Sequence, residues 1–543
     1  MKDWILITGI MAMFGFGHAQ DTLSVRSTQV EAALKVAGLE FTGSEIDSAL
    51  EGIHQNRAAF YSNREVAIPN QVAPTLLFNP LPIGFEISNQ QKPVVWSKRS
   101  AVKRPDNLEE LAFWNVRDLG ELIRTRQVSS LELTQLSLKR LKTYDEKLHC
   151  VITLTEALAL EQARKADEEI AAGKYRGPLH GIPYGAKDLL SVPGYKTTWG
   201  ATPYKEQVIN ETATVIQKLE DAGAVLVAKL TLGALAWGDV WFDGKTRNPW
   251  NPEEGSSGSS AGSASAVSAG LVPFAIGTET LGSIVSPSTV CGTTGLRPTF
   301  GRVSRHGAMA LSWTMDKIGP IARTVEDCAL VFNVIRGKDP LDPFTMEADF
   351  NYDGNRLVKN FKVGYLKSIF ERDYPFKRQD SLLLAKLQAS GVELIPIELP
   401  PLPQITYILT VEAAAAFDEL TRSGRDDELV RQIKNAWPNV FREARLVPAV
   451  EYIQANRLRS LLIEEMDQAI SGVDVYLTPS WGGPNLTLTN LTGHPQLVFP
   501  NGFIDGKPTS ISIVGHLFDE ATLLEFGKYV QELGEWHLQR PGF

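Results

Sequence analysis

Thr280-Leu281-Gly282-Ser283 follows an apolar run, and its residues are small or polar where a tight turn would need them. Such a turn leaves successive backbone N–H groups unobstructed, the arrangement of an anion pocket or oxyanion hole. A serine at its end attacks a carbonyl while the preceding amides receive the developing negative oxygen. A serine nucleophile also needs a base. The chain has 8 histidines, none in a triad-like context. Lysine is the other choice, and Lys187 lies in the apolar segment from Gly181 to Leu190. Desolvation there disfavours the ammonium and lowers its pKa toward that of a base. Taken alone, that segment favours a surface lysine with a buried stem.

A competing serine is Ser260. Gly258-Ser-Ser-Ala-Gly262 has the G-x-S-x-G form of a nucleophile elbow, which would make the chain an esterase with a histidine base. The elbow requires a strand immediately before it. Asn248 to Glu254 precedes it instead, and Pro249 and Pro252 remove ladder donors, so a central strand is excluded there.

The elements around these residues alternate helix, glycine and apolar strand, the rhythm of an α/β protein. Ser129-Ser-Leu-Glu132, followed by leucines at 131, 133, 136, 138 and 141, predicts a capped amphipathic helix. Ala157 to Ala172 reads as a helix ended by Gly173, and Thr212 to Ala222 as one ended by Gly223 and followed by a strand over 224–229. Gly255 to Ser268 carries seven serines in fourteen residues, the composition of a linker. It runs without a break into Ala269 to Ile276, a strand-like apolar run, and so belongs to a core.

Upstream, helix-like stretches near Gln29–Val36 and Ser44–Phe60 precede a segment punctuated by Pro69, Pro74, Pro80, Pro82 and Pro93. Residues 20–105 therefore read as an N-terminal extension and 106–543 as the catalytic domain. Residues 1–19 have one lysine, an apolar run from Trp4 to Phe16, and Gly17-His18-Ala19. This is the form of a secretory signal cleaved after Ala19, too short to span a bilayer, and it predicts an exported protein, periplasmic or extracellular.

Composition narrows the partners. With 54 basic against 63 acidic residues the net charge is −9, and no basic stripe offers itself to nucleic acid. The 3 cysteines, Cys150, Cys291 and Cys328, lack the paired spacing of a zinc site or a disulfide framework. No metal, cofactor or stable membrane insertion is expected, and the oligomeric state is open.

Taken together, Gly181 to Asp188, Gly258 to Ala264, Gly277 to Ile284, Cys291 to Pro298, Asp316 to Pro320, Leu491 to Pro495 and Phe518 to Ala521 resemble the amidase signature family. The match runs in order from about residue 107 to about 530. It implies an α/β fold with a twisted mixed sheet flanked by helices on both faces. It implies a Ser–Ser–Lys triad of Lys187, Ser259 after a cis peptide bond, and Ser283, with Thr280, Leu281, Gly282 and Ser283 as oxyanion hole. Neutral Lys187 would draw a proton from Ser259, and Ser259 one from Ser283. The substrate implied is a small-molecule amide, cleaved at its C–N bond to a carboxylic acid and ammonia or an amine. Ala261 stands where the family has a second glycine, and Leu281 where glycine is usual. A backbone N–H survives both changes, so substrate choice is what they affect. Trp237, Trp241 and Phe242, just before the serine loop, are candidates for an apolar substrate pocket or for ordinary core. Thr278 and Arg297 flank the site motifs as candidate loop-orienting residues. The chain also resembles the A-type component of tRNA-dependent amidotransferases, a reading opposed by the expected export.

Overall fold

The computed structural model describes residues 25–98 and 101–542, so the segment 1–19 lies outside the described residues. Contacts divide the described chain into two units, one of residues 25–72 with Leu446–Pro448 and one of the rest. The proline-punctuated stretch from residue 73 on thus goes with the larger unit.

The smaller unit holds two helices, Ser27–Val36 and Gly43–Asn63. Thr42 caps the second: its hydroxyl accepts from Glu45 N and the Glu45 carboxylate returns to Thr42 N. The pair is weakly amphipathic, and Ile46 is the one fully buried apolar side chain that the two helices contribute.

The larger unit is built on an eleven-stranded mixed sheet. In chain order its strands are β1 Val151–Leu154, β2 Pro183–Lys187, β3 Val225–Leu230, β4 Phe274–Glu279, β5 Thr294–Arg297, β6 Lys317–Ala322, β7 Val363–Tyr365, β8 Leu394–Pro396, β9 Val475–Pro479, β10 Gln496–Ile504 and β11 Lys507–Gly515. Their spatial order is β1-β3-β2-β4-β6-β5-β10-β11-β9-β7-β8. β2 lies parallel to both β3 and β4, whereas β6 runs antiparallel to β4 with Lys317 opposite Glu279. Every residue of β2, β3, β4 and β6 is buried, as expected of strands covered on both faces.

The helix predicted from the Ser129 capping box spans Ser130–Leu148, and Ser129 and Glu132 make both reciprocal bonds. It buries Leu133, Leu138, Leu141 and Leu148, each stabilising by about 1.5–3 kcal/mol. The next helices fall at Glu156–Ala171 and Thr214–Asp221. The strand after the second begins one residue later than predicted, at Val225. The serine-rich stretch is core: all eight residues of its helix, Ala261–Ser268, are buried. The apolar run after it enters the sheet only at Phe274, because Gly270 takes φ +64° in the turn after the helix and Pro273 cannot donate to a ladder.

Candidate active site

β2 and β4 are adjacent and parallel, so their carboxyl ends open at the same edge of the sheet, where ligands of α/β proteins commonly bind. Lys187 is the last residue of β2 and Glu279 the last of β4. The serine loop packs between those ends.

The Lys187 side chain is fully buried. Its Nζ donates to Ser259 Oγ at 2.8 Å, Thr278 Oγ1 at 2.8 Å, Ser260 Oγ at 3.1 Å and Thr278 O at 3.4 Å. No carboxylate touches it among the described residues. Burial pushes its pKa down to about 7, against the weaker opposite pull of the Asp316 and Glu279 carboxylates. At neutral pH a substantial share of the amine is therefore uncharged and able to accept a proton.

Asp188, next in sequence, makes a buried ion pair at this edge, 2.6 Å from Lys229, with both side chains wholly enclosed. Its second oxygen accepts from Thr198 N and Thr198 Oγ1. Asp188→Ala leaves the Lys229 ammonium buried without a counter-charge and is expected to cost about 3–5 kcal/mol of stability. Urea unfolding measures it, and a loss under about 1 kcal/mol would show that the pair is dispensable.

The Gly258–Ser259 peptide bond is cis, as the family resemblance implies. Gly258 has to be glycine because a Cβ there would lie 1.9 Å from Gly238 O. Ser260 fits no elbow. It is buried, its Oγ donates to Thr278 O and accepts from Thr278 N at 3.0 Å each, and its N donates to Ser283 O at 3.0 Å. The residues before it form a short hairpin outside the main sheet, with Asn251–Gly255 paired to Arg247–Asn248. Ser260 thus ties the lysine, β4 and the Ser283 backbone together.

Ser283 closes the turn 280–283 and is 8% exposed. No hydrogen bond joins its Oγ to Ser259 Oγ among the described residues. The N–H groups of residues 280–283 have no protein acceptor among the described residues. Gly282 has φ +85°, which glycine adopts without strain. The turn is gripped at both ends. At one, Glu279 accepts from Ile284 N at 2.8 Å and Val285 N at 3.0 Å, just past the serine. Burial alone would raise the Glu279 pKa, but Arg297, bonded at 2.8 Å, holds it down at about 2. Asn490 donates to the same carboxylate. At the other end Thr280 Oγ1 donates to Asp316 at 2.5 Å.

The structure therefore brings Lys187, Ser259, Thr278 and Ser283 into one cluster, with Arg297 orienting the turn through Glu279. Trp237 adjoins Gly238, whose carbonyl packs on Gly258, and its ring meets Trp437 edge-on at 4.7 Å. Trp241 and Phe242 pack on each other at 4.9 Å, and Phe242 N donates to Gly200 O. Leu281 is half-buried against the core. The roles of Glu279, Asn490 and Asp316 escape sequence reasoning, because acidic and amide side chains far apart in the chain give no local sign of a shared target. The presence of Glu279 and Asp316 in recognised motifs is the available hint. Among the described residues no three metal-binding side chains cluster, and no helix is long and apolar enough to cross a membrane.

A buried amine bonded to a serine, and a second serine beside unpaired amides, together can shuttle a proton and stabilise an oxyanion, the requirements of acyl transfer. Residues 132–489 match the family model described as Amidase. In sequence, the chain is 32% identical over 484 residues to the A-type component of the glutamyl-tRNA(Gln) amidotransferase of Carboxydothermus hydrogenoformans, covering 80% of this chain and 99% of that one. The corresponding component from Roseiflexus castenholzii is 33% identical, over 78% of this chain and 97% of its own. In structure, the peptide amidase of Stenotrophomonas maltophilia superposes with TM-score 0.71 at 28% identity, over 80% of this chain and 99% of that one. The motifs, the mixed sheet and the family match agree: the chain belongs to the amidase signature family.

Proposed function

We propose that this protein hydrolyses the C–N bond of an amide through an acyl-enzyme on Ser283. The observation that carries the reading is the contact of Lys187 Nζ with Ser259 Oγ at 2.8 Å, fully buried and with no carboxylate touching the amine among the described residues. The uncharged amine takes the Ser259 proton as Ser259 takes that of Ser283, and Ser283 Oγ attacks the amide carbon. The N–H groups of 280–283 receive the oxyanion. The proton returns along the same path to the leaving nitrogen, the C–N bond breaks, and ammonia or an amine departs. Water, activated by the same relay, then releases the carboxylic acid. A substrate with an apolar part fits this reading where Trp237, Trp241 and Phe242 line its pocket.

A second reading shares this chemistry up to the release of ammonia. In it the chain is the A-type component of an amidotransferase and works with partner proteins that pass the ammonia to a glutamyl-tRNA. The sequence relatives favour it, since both those named above carry that description over nearly their whole length. Export, as read from residues 1–19, goes with the free-standing amidase.

One experiment tests the shared claim and separates the readings. Purified protein and Ser283→Ala are assayed against p-nitroanilides, primary amides and free glutamine. Turnover of primary amides or anilides that Ser283→Ala abolishes supports the free-standing amidase. Turnover of glutamine alone, together with a cytoplasmic protein that keeps residues 1–19, supports the amidotransferase reading. Hydrolysis unaltered in Ser283→Ala defeats both.

A further inference from the structure

We propose that Glu412 is a positioning residue for the oxyanion turn. The inference rests on the reading of Ser283 as nucleophile and of residues 280–283 as its anion-binding turn. Glu412 lies on the helix Tyr407–Ala416 and is 4% exposed. Its carboxylate takes four donors: Ser312 Oγ at 2.7 Å and Thr314 N at 3.0 Å on one oxygen, Thr314 Oγ1 and Tyr452 OH at 2.8 Å each on the other. Two of the four come from the Thr314 backbone and side chain and a third from Ser312, so Glu412 binds the loop that leads into β6.

That loop ends at Asp316, and Asp316 holds the turn. One Asp316 oxygen accepts from Leu311 N at 2.8 Å and Ser312 N at 3.0 Å, and the other accepts from Thr280 Oγ1. The Asp316 amide in turn donates to Ser312 O at 2.9 Å. Arg459, buried, braces the far side of the loop through Thr314 Oγ1 at 2.8 Å and Thr314 O at 2.9 Å. The contacts thus run unbroken from Glu412 through Ser312 and Asp316 to Thr280, the first residue of the turn. A carboxylate suits the Glu412 position because acceptors alone satisfy four converging donors. An amide there would turn N–H groups toward N–H and O–H groups, and the loop would have to shift. Oxyanion donors lose their effect with small displacements, so such a shift is felt in the transition state more than in substrate binding.

The test uses the full-length protein as Glu412→Gln and, because a buried change can unfold a domain, also as Ser312→Ala. The assay takes the amide that wild type turns over fastest, together with the affinity of an alkyl boronic acid. On binding, a bond forms between Ser283 Oγ and boron, the serine proton passes to Lys187, and a boron hydroxyl occupies the anion-binding turn. The expected result is a kcat lower by about 10- to 100-fold, KM within about threefold of wild type, and boronate affinity reduced in step with kcat. A kcat within about threefold of wild type in both variants overturns the proposal, as does a rise in KM alone. Failure of both variants to fold also overturns it, by making Glu412 a residue of the fold. If wild type shows no Ser283-dependent turnover, the proposed function falls and this inference with it; active wild type with unmoved variants brings down this inference alone.

Discussion

Ser283→Ala is expected to lose at least about 10⁴-fold in kcat/KM on any amide that the wild-type protein hydrolyses. The change removes the one atom that forms the acyl bond and leaves the rest of the site in place. Ser283 Oγ makes no hydrogen bond among the described residues, and the fold around it is held by Ser283 O, which accepts from Ser260 N. The variant should therefore fold and melt like wild type and still bind substrate. Mass spectrometry of protein treated with an acylating serine reagent gives an independent readout: wild type gains one acyl group on Ser283 and the variant none. Labelling that moves to Ser260 would revive the elbow reading, against the three hydrogen bonds that now engage the Ser260 hydroxyl.

Lys187→Met is expected to reduce kcat/KM by about 10²- to 10⁴-fold, the usual worth of a positioned proton acceptor. Methionine fills the same space without a lone pair basic enough to take the Ser259 proton. It also removes the burden of a buried amine, so stability should hold or rise, and lost activity cannot be ascribed to unfolding. The pH profile carries the same argument with a definite sign. Burial disfavours the ammonium and brings its pKa down to about 7. The reactive species is the neutral amine, which gains as pH rises. Wild-type kcat/KM should climb roughly tenfold per pH unit on the acid side, bend near the Lys187 pKa and level off above it. A profile that is still climbing at about pH 9 and bends only near the ordinary lysine pKa, about 10.4, would mean that burial does not lower the Lys187 pKa and that its amine is charged at neutral pH.

Much of the site was legible before any coordinates. Ser283 and its turn stood out because a run of small residues after an apolar strand is a local pattern. Lys187 is not legible in the same way, since its apolar segment taken alone favours a snorkelling side chain over a buried base. Its place at the end of β2, beside β4, encloses the side chain, and Ser259, Ser260 and Thr278 supply its contacts. The serine-rich stretch shows the converse: composition suggested a linker, and its continuity with an apolar strand gave the better answer, a buried helix.

Residue order alone therefore determined the family motifs, the alternation of helix and strand, the capped helix from Ser130 and the small-residue turn that ends at Ser283, because each is written in neighbours along the chain. Only the tertiary structure decided that Lys187 is enclosed and carries a lowered pKa, that Ser260 is a structural tie, and that Glu279 and Asp316 hold the turn from opposite ends. The reason is physical. Desolvation and hydrogen-bond satisfaction depend on which atoms meet in space, and here the parallel pairing of β2 with β4 brings together residues about 90 positions apart.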